Sequence, residues 1–572
     1  MTRHSRSVAP FIAAVVAVAV GCSRPATSTS TPGSRPGGEI VVTNRSNPNT
    51  FNRISSPGGR ADDLIGLLTH AKLVRINRVT WEVEPWLAES WTRSDDGLRY
   101  TLKLRPNITF SDGEPFTSAD VAFSFAAVYD DKTASPLKQA LAVSGKTLGI
   151  ATPDPQTVIV TFPSFFAVGL RILDNLPILP RHKLEAALKA GTFASAWGLD
   201  TPLTELAGLG PFVLSEFVRG QRIVFTRNPR YWRKDADGSP LPHLDRITMQ
   251  IVPDQDAEVL RLRAGQSDMS TAEMRPSDYA PLKKDAAAGT VKLIDLGDGL
   301  DAEAFWINLK PERFAHDPRA AWIQKDELRH AISMAVNREL FVNTVYFGAG
   351  VPVYGPIAPA NKKWYSAEVP HDPYDPAGAR RLLASIGLVD RNGDGMLEDA
   401  HNQPARFALV TQKGRTDRER AVELIRDELK KIGIVVDAVP VDFGKMRELV
   451  GSGAYDALYF GPGATDVDPA VNQDYWLSSG GAHFWNLGQT KATTDWERRI
   501  DELMARQVAS PDDNERKRLF IDVQKIFAEH EPAIYFAAPR VFLATSSRVT
   551  GLTPSLIPPQ LLWAADTIAV VR

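Results

Sequence analysis

The sequence has almost no cysteine: Cys22 is the only one among 572 residues. The chain can therefore form no internal disulfide, and no other cysteine is available as a catalytic nucleophile. It also lacks an excess of charge of either sign, because 66 Lys and Arg residues face 68 Asp and Glu residues. No overall field attracts nucleic acid, so we expect no nucleic-acid partner.

Familiar catalytic motifs are missing as well. The sequence contains no HExxH zinc helix, no GxSxG elbow and no P-loop. We therefore predict that the protein is not an enzyme and uses no cofactor and no metal. A secreted hydrolase remains the alternative from another class of protein, because the carboxylate pairs of glycoside hydrolases leave no local signature.

One acidic segment resembles the beginning of a calcium-binding EF-hand loop. Asp390, Asn392, Asp394 and Gly395 have the right spacing, but His401 stands where the loop needs a bidentate glutamate. A tight polar turn before the next strand explains these residues better than a calcium site.

Only one long apolar run is present, from Val8 to Gly21, and it is short for a bilayer span. Basic residues precede it, which is the pattern of a signal peptide. The following "AVAVGCS" resembles the lipobox of bacterial lipoproteins, in which the cysteine becomes the lipid-bearing first residue of the mature protein. We therefore predict a signal peptide over residues 1–22 and lipidation of Cys22. The alternative is an ordinary secretory signal followed by an incidental cysteine.

After the signal, residues 23–38 consist almost entirely of Ser, Thr, Pro, Gly and Arg. Such a segment has nothing to bury and predicts a flexible tether. The remaining length exceeds what one hydrophobic core supports, so several domains are expected.

Strands and helices are mixed along the chain. Residues 61–77 carry leucines at helical spacing, and Thr117 with Asp120 forms a capping box that begins a helix. The segment 212–225 predicts a hairpin with a turn at 219–221. In the second half, a strand at "ARFALVTQ", a helix over 416–432 and a strand at "IVVDAVPV" predict a parallel βαβ arrangement.

Several passages together resemble the family 5 extracellular solute-binding proteins. The most specific is "PWLAESWTRSDDGLRYTLKLRPNITFSDGEPFTSADVAFSF" over 85–125. Supporting passages follow in the family's order: "GLGPFVL", "NPRYW", "AEVLRLRAGQSDM", "DELRHAISMAVNREL" and "FIDVQKIFAEHEPAIYF".

The resemblance implies an α/β, two-lobed periplasmic-binding-protein-like fold of type II, similar to the large cluster C proteins, with an extra subdomain on the first lobe. Lobe I would be built from residues 39–79, 206–300 and 541–572. Residues 80–205 would form the subdomain, and residues 301–540 would form lobe II.

In functional terms, the resemblance implies a substrate-binding lipoprotein of an ABC importer, held at the extracytoplasmic face of a membrane by lipid on Cys22. The protein would be a monomer that captures a solute, first of all an oligopeptide, between its lobes and delivers it to a permease complex. Two alternatives share the fold: a receptor for an oligosaccharide or metal chelate, and a binding protein that feeds a sensor.

The resemblance also places candidate ligand contacts in "YDALYFGPGATDVDPAVNQDYW". Peptide-binding members have an aspartate shortly before an Asp/Glu-Pro pair, and it pairs with the ligand's amino terminus. Asp468 and Pro469 match the pair, but Thr465 stands at the aspartate position and Asp466 follows it. Either Asp466 takes over the role or the ligand has no free amine; alternatively, both aspartates are solvated loop and capping residues.

Aromatic residues near this loop are candidates for lining a cleft, namely Tyr459, Phe460, Trp476 and Trp485. They are equally suited to fill a core. From lobe I we add Arg60, in the glycine-rich turn "SPGGRADD", as a contact to a carboxylate or carbonyl. Its alternative interpretation is an ordinary surface residue.

Overall fold

The structure is a computed structural model that describes residues 37–461 and 466–571. The predicted signal peptide, Cys22, most of the tether and Thr465 lie outside these ranges. Within the described ranges, no helix combines the length and the hydrophobicity that a membrane crossing requires.

An eight-stranded mixed sheet organises the part of the molecule that we call the first lobe. The sheet contains the hairpin that the sequence predicted over 212–225. The hairpin turns at Gly220, whose φ of 75° is readily adopted by glycine. In spatial order the strands are Phe212–Val218, Arg222–Arg227, Arg246–Ile251, Glu39–Asn44, Met269–Ser270, Ala537–Ser546 and Val291–Asp298, with Gly350–Pro352 also pairing with Ala537–Ser546.

A four-stranded antiparallel sheet forms the subdomain. Its order is Ala88–Arg93, Arg99–Leu104, Thr157–Thr161 and Gly149–Asp154. Tyr100, Leu102 and Leu104 alternate with more exposed residues and turn one face of the sheet to the core. The capping box of Thr117 and Asp120 is present at the start of the adjacent helix, which confirms that prediction.

A five-stranded sheet organises the second lobe. Its order is Val435–Val441, Arg406–Gln412, Ala457–Phe460, Ala304–Ile307 and Ala533–Tyr535. The first two strands pair in parallel, and the helix Thr416–Lys431 connects them in the chain, so the predicted βαβ unit is confirmed.

Both faces of this second sheet are covered. Phe305 and Ile307 belong to one hydrophobic cluster, whereas Ala304 and Trp306 belong to another on the opposite face. Successive side chains of a strand point to opposite faces, so this alternation explains why the whole strand is buried and apolar.

The remaining strands form three two-stranded pairs: Val74–Ile76 with Val83–Pro85, Val549–Thr550 with Ala569–Val570, and Ala142–Val143 with Lys146–Thr147. The α-helices described are Arg60–Thr69, Ser118–Tyr129, Leu137–Ala140, Arg181–Ala190, Gln255–Arg263, Tyr279–Ala287, Asp326–Ala335, Arg338–Val345, Pro376–Ser385, Thr416–Lys431, Phe443–Ser452, Gln473–Trp476, Asp495–Ala509 and Asp513–His530. The short 3₁₀ helices are Gly169–Asn175, Phe193–Ser195, Leu203–Glu205, Pro276–Asp278, Pro311–Arg313, Pro318–Ala321, Phe484–Asn486 and Leu562–Thr567.

The helix predicted over 61–77 is shorter than expected, which corrects the sequence interpretation. It ends at Thr69, and Val74–Ile76 forms a strand instead. The backbone of this segment pairs with Val83–Pro85, and Ala71 makes a bridge to Ile178. Tertiary pairing therefore overrides the helical spacing of the leucines.

The domain boundaries stay a prediction. The strand Ala537–Ser546 crosses the predicted boundary between residues 540 and 541, and it pairs with Val291–Asp298 on one side and with Gly350–Pro352. This strand therefore links segments assigned to different lobes.

Candidate functional site

Two cavities lie side by side where segments of both lobes meet, and Ile557 and Pro558 line both of them. The smaller cavity has a volume of about 220 Å³. It is lined by Leu300, Asp301, Ala302, Pro356, Ile357, Asn361, Asp466, Val467, Pro469, Asn472, Asp474, Tyr475, Trp476, Ala482, Tyr535, Leu556, Ile557 and Pro558.

The larger cavity has a volume of about 790 Å³ and is formed mainly by the first lobe and the subdomain. Its side chains include Phe443 of the second lobe, which is 47% exposed. Its charged lining consists of Arg53, Arg60, Asp63, Lys72, Arg75, Arg78, Asp174 and Asp566.

Asp466 reaches the smaller cavity but is engaged by a cation of the protein itself. Arg171, in the 3₁₀ helix Gly169–Asn175 of the subdomain, donates from Nε to both carboxylate oxygens at 3.0 and 2.8 Å. Asp466 is buried, and burial raises its pKa although the Arg171 guanidinium acts to lower it. The pair joins the subdomain to the second lobe, so it contributes to holding them together.

Asp468 has a structural environment. Its carboxylate accepts a hydrogen bond from Arg516 Nη2 at 2.6 Å and another from the backbone N–H of Ala470 at 3.0 Å. Asp468 and Arg516 are both buried. A carboxylate satisfied in this way fixes the loop, but Asp468 is neither solvated nor a helix cap, because the following helix begins at Gln473 with Asn472 as its N-cap.

The four candidate aromatic residues separate into two groups. Trp476 lines the smaller cavity, with its ring edge-on to Phe520 at a centroid distance of 5.0 Å. Tyr459, Phe460 and Trp485 do not line either cavity within the described part of the chain.

Strand alternation explains where these three side chains go. Tyr459, 1% exposed, points into the cluster formed with the helices Arg338–Val345 and Thr416–Lys431. Phe460 packs on the opposite face of the sheet, and Trp485 stacks on Trp306 at 5.9 Å. The structure therefore places these three side chains in packing positions, away from both cavities.

Arg60 begins the helix Arg60–Thr69 after Gly59 and points into the larger cavity. Its Nη1 donates to the backbone carbonyl of Thr271. A second guanidinium, Arg78, donates from Nη1 to the carbonyl of Pro558. Both arginines therefore donate hydrogen bonds to neutral carbonyl oxygens.

The other cations of this cavity are matched by carboxylates. Arg53 contacts Asp63 at 2.5 Å, Lys72 contacts Asp174 at 3.0 Å, and Arg75 pairs with Glu84. In contrast, no described carboxylate lies within 4.0 Å of the guanidinium nitrogens of Arg60 or Arg78.

The two guanidiniums are partly shielded from water, although the Arg60 side chain is exposed overall and Arg78 is half-buried. Burial lowers the pKa of both Arg60 and Arg78, and the more distant carboxylates of Glu273 and Asp174 offset the effect only in part. A guanidinium retains its charge at neutral pH. The larger cavity therefore presents two charged donor groups that favour an anion.

His70 adds a polar group to the same cavity. Its ring stacks on Trp197, it is 7% exposed, and neither ring nitrogen has a hydrogen-bond partner within the described structure. Burial lowers its pKa to about 4, so the ring is neutral at pH 7.

Sequence reasoning missed Arg78, Arg171 and His70. One signal was present for Arg171, which is the single charged residue of the short apolar run "GLRIL" and has a buried Leu170 and Ile172 on its two sides. A lone charge in such a run indicates a paired group. Its partner cannot be identified in the same way, because Asp466 lies 295 positions later.

The order of the sheets, the two lobes and the cavities between them can now be compared with known proteins. The family model for bacterial extracellular solute-binding proteins, family 5 Middle, matches residues 82–484. The chain belongs to this family.

Relatives in this family cover nearly the whole chain. A probable ABC transporter-binding protein of Deinococcus radiodurans is 27% identical over 90% of this chain and 89% of its own length. The dipeptide-binding protein of Escherichia coli is 25% identical over 90% of this chain and 91% of its own length. The heme-binding protein A of Haemophilus influenzae is 27% identical over 85% of this chain and 84% of its own length.

Solved structures carry the same fold. The oligopeptide-binding protein AppA of Bacillus subtilis, in complex with a nonapeptide, superposes with a TM-score of 0.76 at 23% identity, covering 94% of this chain and all of that one. The binding protein MelB of Agrobacterium fabrum, in complex with stachyose, also gives 0.76, at 21% identity, over 94% of this chain and 85% of its own. The predicted two-lobed periplasmic-binding-protein-like fold is thereby confirmed. One fold holding a peptide in one protein and a sugar in another leaves the solute to be argued from the site.

Proposed function

We propose that this protein is the substrate-binding component of an ABC importer and that its solute binds across the two cavities between the lobes. A solute that contacts both lobes has a higher affinity for the closed arrangement and shifts the population toward it. The closed form is then presented to the permease. Support comes from membership of the family and from relatives named for ABC transport and for binding dipeptides, oligopeptides and heme.

The solute we propose is a small molecule with an anionic group, in the first place an oligopeptide bound through a carboxylate. The observation that carries this proposal is the pair Arg60 and Arg78, whose guanidiniums line the larger cavity and, among the described residues, donate only to backbone carbonyls. Arg60 is exposed and Arg78 is half-buried, so both guanidiniums can be reached from the cavity, and a carboxylate ligand would supply the counter-charge that no described carboxylate provides within 4.0 Å. His70 would supply a neutral hydrogen-bonding group nearby.

A non-peptide solute is the second candidate, and the Arg171–Asp466 ion pair favours it. A peptide amine would have to replace Arg171 as the partner of Asp466, whereas a solute without an amine leaves the pair intact. The two candidates thus differ in whether Asp466 changes partner on binding.

A thermal-shift screen of the purified mature protein separates these candidates. The panel contains tripeptides, the same peptides with an amidated carboxyl terminus or an acetylated amine, a nickel–histidine chelate and oligosaccharides. A ligand present at 100 times its Kd stabilises the folded state by about 2.7 kcal/mol. We expect stabilisation by the peptides that is lost on amidation.

Acetylated peptides sharpen the result. If they bind as well as free peptides, Asp466 keeps Arg171 and the amine is not recognised. Stabilisation by neutral sugars alone would contradict an anionic solute. If no solute in a broader screen stabilises the native state and the protein instead turns over a substrate, the function as a binding protein is contradicted.

We also propose that the mature protein is a monomer, tethered by lipid on Cys22 to the extracytoplasmic face of a membrane. Expression in a bacterial host followed by fractionation tests the anchor. The wild type should sediment with membranes, while Cys22→Ala should appear in the soluble extracytoplasmic fraction. Equal distribution of the two proteins would contradict the lipid anchor.

A further inference from the structure

A cluster of one histidine and two carboxylates lies on the second lobe, and none of its members lines either cavity. His330 is in the helix Asp326–Ala335, Asp372 is in the segment preceding the helix Pro376–Ser385, and Glu531 follows the helix Asp513–His530. His330 Nδ1 is 2.8 Å from Asp372 Oδ2 and 3.7 Å from Glu531 Oε2.

The histidine ring is oriented by a backbone group. Its Nε2 lies 2.9 Å from the carbonyl oxygen of Glu529. A carbonyl oxygen only accepts, so Nε2 carries a proton, and at 2.8 Å Nδ1 donates a second proton to Asp372. Loss of the Nδ1 proton to an incoming metal ion would leave the Nδ1 lone pair directed between the two carboxylates. Histidine ligands of metal ions have this arrangement, with the other nitrogen donating to a carbonyl.

Glu531 provides an unsatisfied acceptor. Its side chain is 6% exposed, Oε1 accepts from Ser333 Oγ at 3.0 Å, and Oε2 is buried without a hydrogen-bond partner in the described structure. Arg338 does not fill this position. Its nitrogens donate to Ser333 and to the carbonyls of Val353 and Tyr535.

We propose that His330, Asp372 and Glu531 bind one divalent transition-metal ion of the Zn²⁺ class, with water completing the coordination. Zn²⁺ bonds to nitrogen and carboxylate oxygen are about 2.0–2.2 Å long, so tetrahedral ligands lie roughly 3.3–3.5 Å apart. The observed separations of 2.8 and 3.7 Å lie on either side of that range. An imidazole ligand disfavours Mg²⁺ and Ca²⁺, which prefer oxygen.

The ion would have a structural role. It would connect the helix Asp326–Ala335, the segment carrying Asp372 and the end of the helix Asp513–His530. Because the cluster is outside both cavities, its occupancy should leave solute affinity unchanged.

A second acidic group serves as an internal control. Asp390, Asp394 and Glu398 also lie close together, but their oxygens accept backbone N–H bonds from Arg391, Gly393, Gly395 and Met396. These carboxylates form a polar turn, in line with the sequence interpretation of this loop. Asp394→Asn is therefore a matched variant that removes a carboxylate without touching the proposed site.

The test uses the untagged mature protein after dialysis against a chelator. Titration with ZnCl₂ by calorimetry should give one tight site per chain, and elemental analysis should find one equivalent of zinc retained on a desalting column. His330→Gln and Glu531→Gln should each weaken that site at least about ten-fold, whereas Asp394→Asn should not change it.

Co²⁺ provides a readout that does not depend on the variants folding. Bound by the wild type at this site, it should give the intense visible absorption of a tetrahedral centre, and Zn²⁺ should abolish it by displacement. Absence of stoichiometric zinc and of this absorption in the wild type would overturn the proposal, as would equal zinc affinity in wild type and both ligand variants.

Discussion

The two cavities between the lobes differ in how their charges are balanced. Beside the smaller cavity, the carboxylates of Asp466 and Asp468 are paired with Arg171 and Arg516 of the protein itself. In the larger cavity, Arg60 and Arg78 contact only backbone carbonyls. The carboxylates noticed in the sequence are thus satisfied internally, whereas Arg60, also noticed there, and Arg78 are the cations of the opposite lobe that are left for a ligand.

The largest effect should come from breaking an internally satisfied pair. Asp468→Ala leaves the buried Arg516 guanidinium with the exposed Asp513, 3.4 Å away, as its remaining carboxylate, and removing one partner of a buried pair destabilises a protein by about 3–5 kcal/mol. We expect this loss in the free energy of unfolding, measured by urea denaturation, with solute affinity of the folded protein retained.

The matched control removes an exposed carboxylate. Asp437 pairs with Arg406 at 2.7 Å, and both side chains are accessible to solvent. Asp437→Ala should cost about 1 kcal/mol or less. Similar losses in the two variants would show that Asp468 does not have the structural role assigned to it.

The next effect concerns pH and the larger cavity. Burial lowers the pKa of His70 from 6.5 to about 4. Between these values the unfolded chain binds a proton at this histidine that the folded protein does not. The free energy of unfolding therefore falls as the pH decreases from 6.5 to 4, and below pH 4 the stability that depends on a neutral His70 is fully lost. The shift corresponds to roughly 3 kcal/mol for a fully buried ring.

His70→Phe keeps an aromatic ring against Trp197 but removes the titration. Unfolding free energies measured at pH 7 and pH 4 should therefore differ less in the variant than in the wild type. Parallel pH profiles of the two proteins would contradict a buried neutral His70.

A smaller energetic effect, but one specific to binding, is expected from the unbalanced cations. Arg78→Met or Arg60→Met removes a charge-assisted hydrogen bond to an anionic solute, worth about 1.5–3 kcal/mol, or roughly ten- to hundred-fold in Kd. Stability should hardly change, because neither arginine has a carboxylate partner to leave behind. Calorimetric titration measures the affinity.

Arg222→Met is the corresponding control, since Arg222 pairs with Glu216 on an exposed hairpin outside both cavities. It should bind the solute like the wild type. Equal weakening by Arg222→Met and Arg78→Met would indicate a general effect of net charge instead of a direct contact.

The smallest effect is expected at Tyr459. Because its ring lies in the core of the second lobe, Tyr459→Phe removes only a buried hydroxyl. We expect a stability change of about 1 kcal/mol and an unchanged solute Kd. A marked loss of solute affinity without a loss of stability would contradict the packing role of Tyr459 and indicate a contact with the ligand.

Local patterns explain how much could be predicted from the sequence. The capping box at Thr117, the hairpin around Gly220 and the parallel strands flanking 416–431 depend on residues that are near one another in the chain. The prediction of a helix over 61–77 was wrong for the second part of this segment, because residues 74–76 form a strand that pairs with residues 83–85.

The site was harder to predict because its decisive contacts are long-range. Asp466 lines the smaller cavity, and its role as a ligand contact stays a prediction, but its partner Arg171 is 295 positions away. Tyr459 was selected for its position next to the loop. Strand alternation predicts that it and Leu458 point to opposite faces, but the sequence does not reveal that both faces of this sheet are covered by hydrophobic clusters. Cations without a nearby carboxylate, such as Arg60 and Arg78, can be recognised only when the positions of all described side chains in the fold are known.

The account is tested most directly by one affinity comparison. The solute that gives the largest thermal shift is titrated calorimetrically into the wild type and into the double variant Arg60→Met/Arg78→Met. The account predicts a solute with an anionic group, bound once per chain, with an affinity at least about a hundred-fold weaker in the double variant. Equal affinity for the two proteins would contradict binding through these arginines in the larger cavity.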